Sequence, residues 1–223
     1  MKLRSIVLII LLIIIADQAL KVWIKTDYPF GRVMYVMGLK WFQLYFIENE
    51  GMAWGWKLGG EWGKMILTLF RLAAVIFGTW YLGRIVKQKY HRGFLFCAAL
   101  IYAGALGNLI DSMFYGLIFS ETTYSSIATI FPDEGYAGFL HGHVVDMLYF
   151  PLIESQFPEW VPVVGGNDFT FFSPVFNIAD ASISVGVIAL LIFQKKFFKK
   201  EEPVSKSSPV ETSSEVSDNV QVS

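Results

Sequence analysis

The chain has 223 residues, of which 54% are hydrophobic and 17% are charged. Soluble domains carry about 45–50% apolar and about 25% charged residues, so this composition favours a protein embedded in a membrane. The 18 basic and 19 acidic residues nearly cancel, and no basic block lies outside short loops, so nothing in the charge pattern indicates a nucleic-acid surface. The single cysteine, Cys97, excludes a disulfide framework and a metal site built from several cysteines.

Four apolar segments are long enough to cross a bilayer, which takes about 20 helical residues. They span residues 3–24, 64–82, 93–115 and 174–193. The first segment also has the basic start of a cleaved signal peptide, but it continues through Asp17 and Lys21 and lacks a small-residue cleavage site. We therefore expect it to remain as a helix. The sequence predicts an all-α polytopic membrane protein with four transmembrane helices.

Basic residues predict how these helices are oriented. They cluster before the first helix at 2–4, between the second and third at 84–92, and after the fourth at 195–200. Because positively charged connections stay on the cytoplasmic side, both termini are expected in the cytoplasm. Residues 26–63 and 116–173 then lie on the outer side.

The segments outside the helices carry signals of their own. Residues 39–47 are aromatic and β-prone, and Asn49-Glu50-Gly51 follows with turn chemistry, which predicts a small β-element at the outer membrane interface. Ser173-Pro174 has the pattern of an N-cap before a first-turn proline, which predicts the start of the fourth helix. Residues 201–223 become rich in Ser, Glu and Val, which predicts a disordered cytoplasmic tail behind a single membrane domain of residues 1–200.

The outer connection from Tyr115 to His141 is long and contains Pro132, Gly135 and Gly138. It has no sustained helical period, so it is open to two interpretations. One is a mobile lid that closes over a bound substrate and excludes water. The other is a surface insertion without a role in the chemistry.

Three carboxylates lie within the apolar segments, namely Asp17, Asp111 and Asp180. An ionisable side chain in hydrocarbon costs several kcal/mol, so each is a functional candidate. At about 1.5 Å per residue, all three reach the outer third of the bilayer. Polar residues accompany them at helical spacing: Lys21, Asn108, Asn177 and Ser184. We therefore expect these helices to turn one polar face towards each other.

A fourth carboxylate, Asp146, follows His143-Val144-Val145 just before the aromatic residues 147–150. At the edge of an apolar segment, it can reach the same layer from the outer side. Two aspartates in a low-dielectric site cannot both ionise cheaply, so one holds a proton while the other stays charged. Aspartic proteases activate water with this arrangement.

Five short motifs carry a resemblance to a known family. In chain order they are Asp17-Gln18-Ala19-Leu20-Lys21, Asn49-Glu50-Gly51-Met52-Ala53-Trp54, Gly104-Ala105-Leu106-Gly107-Asn108-Leu109-Ile110-Asp111, His143-Val144-Val145-Asp146 and Phe176-Asn177-Ile178-Ala179-Asp180. With these motifs on the matching helices, the chain resembles the lipoprotein signal peptidases. These bacterial type II signal peptidases are aspartic endopeptidases with four transmembrane helices.

The resemblance implies a function and a set of site residues. Asp146 and Asp180 would be the catalytic pair of a hydrolase that cuts just before a diacylglyceryl-modified cysteine. The substrates would be lipidated prolipoproteins in the bilayer of the bacterial inner membrane. The enzyme would be a monomer with a periplasmic β-element. No cofactor, metal or nucleic acid would be involved. Matching positions that line the substrate groove, support the dyad or belong to the family's first sequence motif are Asp17, Lys21, Asn49, Gly51, Asn108, Asp111 and Asn177.

The chain departs from the family pattern at two places. Ser112 follows Asp111 where the family usually has arginine, so the anchoring function of that arginine must be supplied otherwise. Arg71 in the second helix is a candidate, although it could also be a snorkelling or helix-paired arginine. The segment between Asp111 and Asp146 is also longer than is usual in the family.

Other chemistries remain open from the residues alone. His141, His143 and Asp146 have a spacing that could bind a metal ion, although one extended segment would then supply every ligand. Lys21 with Ser112 or Ser184 could form a Ser-Lys protease. A proton-coupled carrier or an accessory subunit would also use intramembrane carboxylates, but carriers tend to show internal repeats that this sequence lacks.

Overall fold

A computed structural model describes residues 1–49, 60–156, 158–160, 162–163, 166–171 and 173–198. Four long helices dominate it: α1 (Leu3–Asp27), α2 (Gly60–Lys87), α3 (Arg92–Ile118) and α4 (Ile178–Phe197). All four contain a stretch long and apolar enough to cross a membrane, which confirms the four predicted helices. The predicted tail, residues 201–223, lies outside the described residues.

Each helix ends later in the chain than the apolar pattern predicts. For example, α1 continues past residue 24 to Asp27, and α2 continues past residue 82 to Lys87. Backbone hydrogen bonding does not stop where the apolar residues stop, because Lys25 and Lys87 are themselves good helix formers. Hydropathy therefore marks the part of a helix that crosses the bilayer, and not its ends.

The third helix forms the centre of the bundle. It packs against α1, α2 and α4. In its most apolar stretch, 56% of the residues are buried within the protein, compared with 17% for α1, 17% for α2 and 11% for α4. Small residues allow the close crossing with α4: a Cβ added at Gly104 would lie 2.2 Å from the carbonyl oxygen of Ala179. Membrane helices commonly approach each other over such residues.

A small antiparallel sheet lies at the end of the bundle where α1 ends and α4 begins. Its strands are β1 (Val33–Tyr35), β2 (Gln43–Asn49), β3 (Val144–Tyr149) and β6 (Val175–Phe176), paired in the order β1-β2-β3-β6. A 3₁₀ turn at Val36–Gly38 connects β1 to β2, and β4 (Ile153–Gln156) pairs with β5 (Asp168–Phe171) as a separate ribbon. The predicted β-element at 39–47 is thus only one strand of a larger sheet.

The sequence prediction for the start of α4 is wrong. Ser173-Pro174 does not cap the helix, because Val175 and Phe176 form strand β6 against Tyr149 and Leu148. The helix begins at Ile178, and the Asn177 side chain accepts the N-cap hydrogen bond from the Asp180 amide. Asp180 therefore lies in the first turn of α4 and not two turns inside it.

The long connection after α3 is anchored to the end of that helix. Its backbone amides at Phe131, Tyr136 and Ala137 donate to the carbonyls of Ile118, Phe119 and Gly116 at 2.7–3.0 Å. These bonds satisfy carbonyl groups that a helix end leaves without intrahelical partners. Neither sequence interpretation of the 115–141 segment includes this anchoring.

Candidate active site

A buried ion cluster joins α1 to α3. The Lys21 ammonium lies 2.8 Å from the Asp17 carboxylate and 2.7 Å from that of Asp111, and it donates to Asn108 Oδ1 at 3.0 Å. Asp17, Lys21 and Asp111 are all at most 1% exposed. The polar faces predicted for these two helices therefore meet, and each buried charge has a partner of opposite sign.

Asp17 also reaches α4. Its Oδ1 accepts a hydrogen bond from the backbone amide of Ala179 at 2.8 Å, which satisfies one of the free amides at the N-terminus of that helix. A Cβ added at Gly107 would lie 3.0 Å from Asp17 Oδ2, so the glycine leaves the space that this carboxylate occupies. The first turn of α4 is thus fixed to α1 through a side chain on the predicted polar face.

Sequence reasoning did not single out two residues of this cluster. The Gln18 amide donates to Asp111 Oδ1 at 2.8 Å, and the Tyr115 hydroxyl donates to Gln18 Oε1 at 3.1 Å. Gln18 carried a usable signal, because it is a polar residue inside an apolar segment. Tyr115 carried none, because a tyrosine near a helix end is typical of any membrane interface.

The two aspartates of the predicted pair are held by a chain of two asparagines. Asn108 Nδ2 donates to Asp180 Oδ1 at 2.7 Å, and Asn177 Nδ2 donates to Asp146 Oδ1 at 2.7 Å. The two amides also contact each other at 3.2 Å, and Asn177 Oδ1 accepts from the Asp180 backbone amide at 2.8 Å. Helices α3 and α4 and strand β3 therefore bring Asp146 and Asp180 to one site.

Strand β3 presents Asp146 to this site. Asp146 lies opposite Ile47 in the β2–β3 register, its side chain is 2% exposed, and its Oδ2 accepts from Asn49 Nδ2 at 3.4 Å. The strand is held to α3 by Asp111, whose Oδ2 accepts from the Val145 amide at 3.4 Å. Gly51, the remaining predicted site residue, lies outside the described residues.

The surroundings of the two aspartates differ. Burial, with a smaller contribution from the charge of Asp180, raises the pKa of Asp146 from an ordinary value of 3.8 to about 7. Asp180 lies in the first turn of α4, where the helix dipole favours a negative charge. The site can therefore hold a proton on Asp146 near neutral pH.

An arginine from α2 reaches the same turn of α3. Arg71 Nη1 donates to Ser112 Oγ at 2.8 Å, and that hydroxyl donates to the carbonyl of Asn108 at 2.9 Å. Ser112 is the position where the resemblance led us to expect arginine. A guanidinium group is thus present at this place, and it is supplied by α2.

The residues of the alternative chemistries have other partners. His143 Nδ1 lies 3.1 Å from Glu48 Oε2, and His141 Nδ1 lies 2.9 Å from the carbonyl of Phe139. Among the described residues, no three His, Cys, Asp or Glu side chains are grouped as they would be to hold a metal ion. The partners of Lys21 in this part of the chain are the carboxylates of Asp17 and Asp111 and the amide of Asn108.

A second charged group lies on the other face of the sheet. Glu48 is paired with Val145 across the strands, and its carboxylate contacts Lys25 at 2.5 Å as well as His143. Burial alone would raise the pKa of Glu48, but the bond to His143 and the Lys25 ammonium hold it below its usual range. This group ties α1 to the strands that carry Asn49 and Asp146.

Comparison with known proteins identifies the family. A family model described as signal peptidase II matches residues 9–196. The lipoprotein signal peptidase of Porphyromonas gingivalis is 48% identical over 186 residues, 82% of this chain and 80% of the relative. That of Amoebophilus asiaticus is 35% identical over 205 residues, 91% of this chain and 82% of the relative.

A solved structure has the same fold. It is described as a bacterial membrane enzyme determined by the in meso method at 2.3 Å resolution, with 25% identity and a TM-score of 0.56. The match covers 91% of this chain and 95% of the solved chain, so it includes both the helices and the sheet. The family model and the relatives together show that this chain belongs to the signal peptidase II family.

Proposed function

We propose that this chain is an intramembrane aspartic endopeptidase that removes the signal peptide from diacylglyceryl-modified prolipoproteins, cutting before the lipidated cysteine. The family assignment supports the substrate class. The observation that carries the chemistry is the asparagine chain, in which Asn108 and Asn177 hold Asp180 and Asp146 by bonds of 2.7 Å each. A proton-coupled carrier is not favoured, because the family is one of peptidases.

The raised pKa of Asp146 supports the roles that we propose for the two aspartates. The Asp180 carboxylate accepts a proton from a water molecule, whose oxygen attacks the carbonyl carbon of the peptide bond. Protonated Asp146 donates a hydrogen bond to the carbonyl oxygen, which becomes negatively charged in the transition state. The proton taken up by Asp180 then passes to the departing amine as the C–N bond breaks. The immediate products are the carboxylic acid of the signal peptide and the free amine of the lipidated cysteine, and Asp180 is a carboxylate again. Transfer of the acid's proton to the amine then gives a carboxylate and an ammonium group.

Four neighbouring residues support the two aspartates. Lys21 donates to Asn108 Oδ1, which polarises the amide and strengthens the bond that Asn108 Nδ2 donates to Asp180. The charge balance also matters, because Lys21 offsets the carboxylates of Asp17 and Asp111 directly behind the site. We assign Lys21, Asp17 and Asp111 to the support of the dyad, and Asn49 to the positioning of Asp146.

The family assignment and the basic residues support a location for the chain. We place it in the bacterial inner membrane as a monomer, with both termini and the 201–223 tail in the cytoplasm and the sheet in the periplasm. The basic residues at 2–4, 84–92 and 195–196 support this orientation, since they lie at the end of the helices away from the sheet. The substrate would then enter from the bilayer, because its lipid chains stay in the outer leaflet.

Cleavage by the purified chain in lipid vesicles tests the proposal. We expect a prolipoprotein carrying a diacylglyceryl cysteine to be cut directly before that cysteine. The same precursor without the lipid should be cut far more slowly, since its reactive peptide bond is not held at the membrane. A chain that is correctly inserted but leaves the lipidated precursor intact would contradict the proposed function.

A further inference from the structure

Helices α2 and α4 border one side of α3, and we call the space between them the groove. Central α3 packs against α2 on one side and α4 on another, whereas α2 and α4 share no comparable interface. On α3 this side includes Asn108 and Ser112, which are buried, whereas Arg71 on α2 and Asp180 on α4 are partly exposed. A membrane-embedded chain can therefore approach Asp180 on α4 from the side, with α2 as the facing wall.

Arg71 is an unusual residue for that wall. It lies inside the apolar stretch of α2 and is only half-buried, and an arginine in hydrocarbon is costly unless it has a function or a partner. None of the ion pairs found among the described residues includes it. Its one hydrogen bond there goes to the neutral hydroxyl of Ser112, although a guanidinium carries five N–H donors.

The direction of the side chain places these donors beside the chemistry. Ser112, which accepts from Arg71, belongs to the α3 turn that begins at Asn108, and the amide of Asn108 holds Asp180 at 2.7 Å. The Asp180 carboxylate is also the strongest electrostatic neighbour of the guanidinium. Arg71 and Asp180 therefore face the same space from opposite walls of the groove.

The charges of the site select the kind of ligand. The carboxylates of Asp180 and Asp111 both act on the guanidinium electrostatically, so a full anion such as a phosphate would be repelled by them. A neutral acceptor avoids this repulsion and still gains a charge-assisted hydrogen bond. Carbonyl oxygens are the acceptors that a lipidated peptide offers, either in its backbone or in the esters of its diacylglyceryl group.

The geometry points to Arg71 as a substrate-positioning residue that donates hydrogen bonds to carbonyl oxygens of the prolipoprotein, opposite Asp180. This inference rests on the proposed function, since it takes the prolipoprotein as the occupant of the groove. It assigns to α2 a role in binding that no residue of the dyad or its support performs. The bound carbonyl fixes how far the peptide enters the groove, and so which bond meets the two aspartates.

Steady-state cleavage in vesicles tests this role, with Arg84→Gln as the matched control. Arg84 lies on the same helix, where its guanidinium is 5.5 Å from the ring centre of Trp80. We expect Arg71→Gln to raise KM by about 10-fold or more, because a charge-assisted bond is lost, while kcat changes far less. Arg71→Lys keeps the charge but lacks the planar guanidinium, so its KM should lie between those of the unmodified chain and Arg71→Gln. The KM of Arg84→Gln should equal that of the unmodified chain.

A relocated guanidinium gives a rescue test. Because Arg71 contacts Ser112 directly, the double variant Arg71→Ser with Ser112→Arg places the same group at the same spot from α3. We expect it to have a lower KM than Arg71→Ser alone. Unchanged KM in Arg71→Gln and Arg71→Lys, at matched protein levels, would overturn the inference. So would a loss confined to kcat, which would place Arg71 in support of the dyad.

A precursor with ether-linked chains separates the two sources of the carbonyl. If Arg71 binds an ester, the unmodified chain should have a higher KM for the ether precursor than for the ester precursor. Arg71→Gln should then not raise the KM for the ether precursor any further. If it binds the peptide backbone, Arg71→Gln should raise KM equally for both precursors. Failure of the unmodified chain to cut the ester-linked precursor at all would instead contradict the proposed function.

Discussion

Asn177 performs two tasks with one side chain, and these can be separated. Its Oδ1 caps α4, while its Nδ2 donates to Asp146 at 2.7 Å. Serine is a good N-cap but has no amide donor, whereas alanine supplies neither group. We expect Asn177→Ser and Asn177→Ala both to slow cleavage strongly. The alanine variant alone should also lose about 1 kcal/mol of stability from the cap.

Cleavage rates and thermal unfolding in detergent would measure the two effects. Asn108 remains in place in both variants, so Asp180 keeps its own bond and serves as an internal reference. Equal melting temperatures for the serine and alanine variants would contradict a capping role. Normal cleavage by either variant would contradict the role of the amide.

The proton on Asp146 predicts a pH dependence. Burial and the charge of Asp180 raise the pKa of Asp146 to about 7, so its protonated form prevails below that pH and is lost above it. Since the mechanism needs a proton on this residue, kcat should fall as the pH rises through about 7. Folding stability should fall in the same direction from pH about 4 to about 7, because the folded state binds the extra proton.

A pH profile of kcat, taken at saturating precursor, measures this limb. Asn49 donates to Asp146 Oδ2, and that bond lowers the pKa of Asp146, so Asn49→Leu should move the limb to higher pH. His143→Gln is the control, because a histidine can also titrate near neutral pH. If the pH at which kcat falls shifts in His143→Gln but not in Asn49→Leu, the assignment of this fall to Asp146 is contradicted.

Single residues were predictable where their chemistry conflicts with their surroundings. Asp17, Asp111 and Asp180 stand out because a carboxylate is costly in an apolar helix. Lys25 and Glu48, which form a 2.5 Å ion pair, did not stand out, because they occupy the end of α1 and a strand where charged residues are common. The sequence does not reveal that the fold buries them.

Among the helices, the crossing of α3 and α4 sets the distance between Asn108 and Asp180. A methyl group at Gly104 would lie 2.2 Å from the Ala179 carbonyl oxygen and 2.7 Å from Ile183, and backbone atoms cannot move aside cheaply. Gly104→Ala should therefore push the helices apart and lower both stability and cleavage. An overpacked contact of this kind costs about 1–3 kcal/mol.

Gly83 on α2 is the matched control for this change. A Cβ there meets nothing within 4 Å, so Gly83→Ala should be neutral or stabilising by up to about 1 kcal/mol. Thermal unfolding and the cleavage rate would be measured for both alanine variants. Equal behaviour of the two variants would show that the crossing does not control the site.

Secondary-structure elements were predictable where the local sequence pattern determines them. They were not predictable where pairing with another strand determines them. The apolar runs gave α1 to α4, but Val175 and Phe176 form a strand only because the edge of β3 is available to them. Strand β3 was not predicted either, because its residues Val144–Tyr149 have the pattern of the edge of an apolar segment. Asn177 then caps the helix in place of Ser173, because the strand occupies the residues between them.

For the whole molecule, the distribution of basic residues predicts the topology. A reporter fused after Lys200 should be cytoplasmic, and one inserted near Glu134 should be periplasmic. The expectation rests on positive charges at the ends of the helices away from the sheet. A protease-protection assay on spheroplasts would measure both positions in one preparation. Finding both reporters on the same side would contradict the four-helix arrangement in the membrane.

Most residues of the site could be predicted from the order of the motifs along the chain, because helices that cross a membrane can be arranged in only a few ways. Counting residues along three helices assigned Asp17, Asp111 and Asp180 to one layer. In the structure Lys21 pairs with both Asp17 and Asp111, and Asp17 reaches the first turn of α4, next to Asp180. Asp146 was expected near the same layer because it lies at the edge of an apolar segment, but its catalytic pairing with Asp180 came from the resemblance, since its strand has no depth that can be counted. The position of Arg71 against Ser112 required the structure, because α2 carries no motif that fixes its rotation.

The central claim is that Asp146 and Asp180 are both catalytic, and amide substitution tests it most directly. Asparagine keeps the shape of each side chain but removes its part in proton transfer. Asp146→Asn and Asp180→Asn should each reduce the cleavage rate of a lipidated precursor by about 10²-fold or more, at matched protein levels and with precursor still bound. Asp133→Asn, the same change at an exposed loop residue, should leave the rate unchanged. Near-normal cleavage by either active-site variant would contradict the aspartic mechanism.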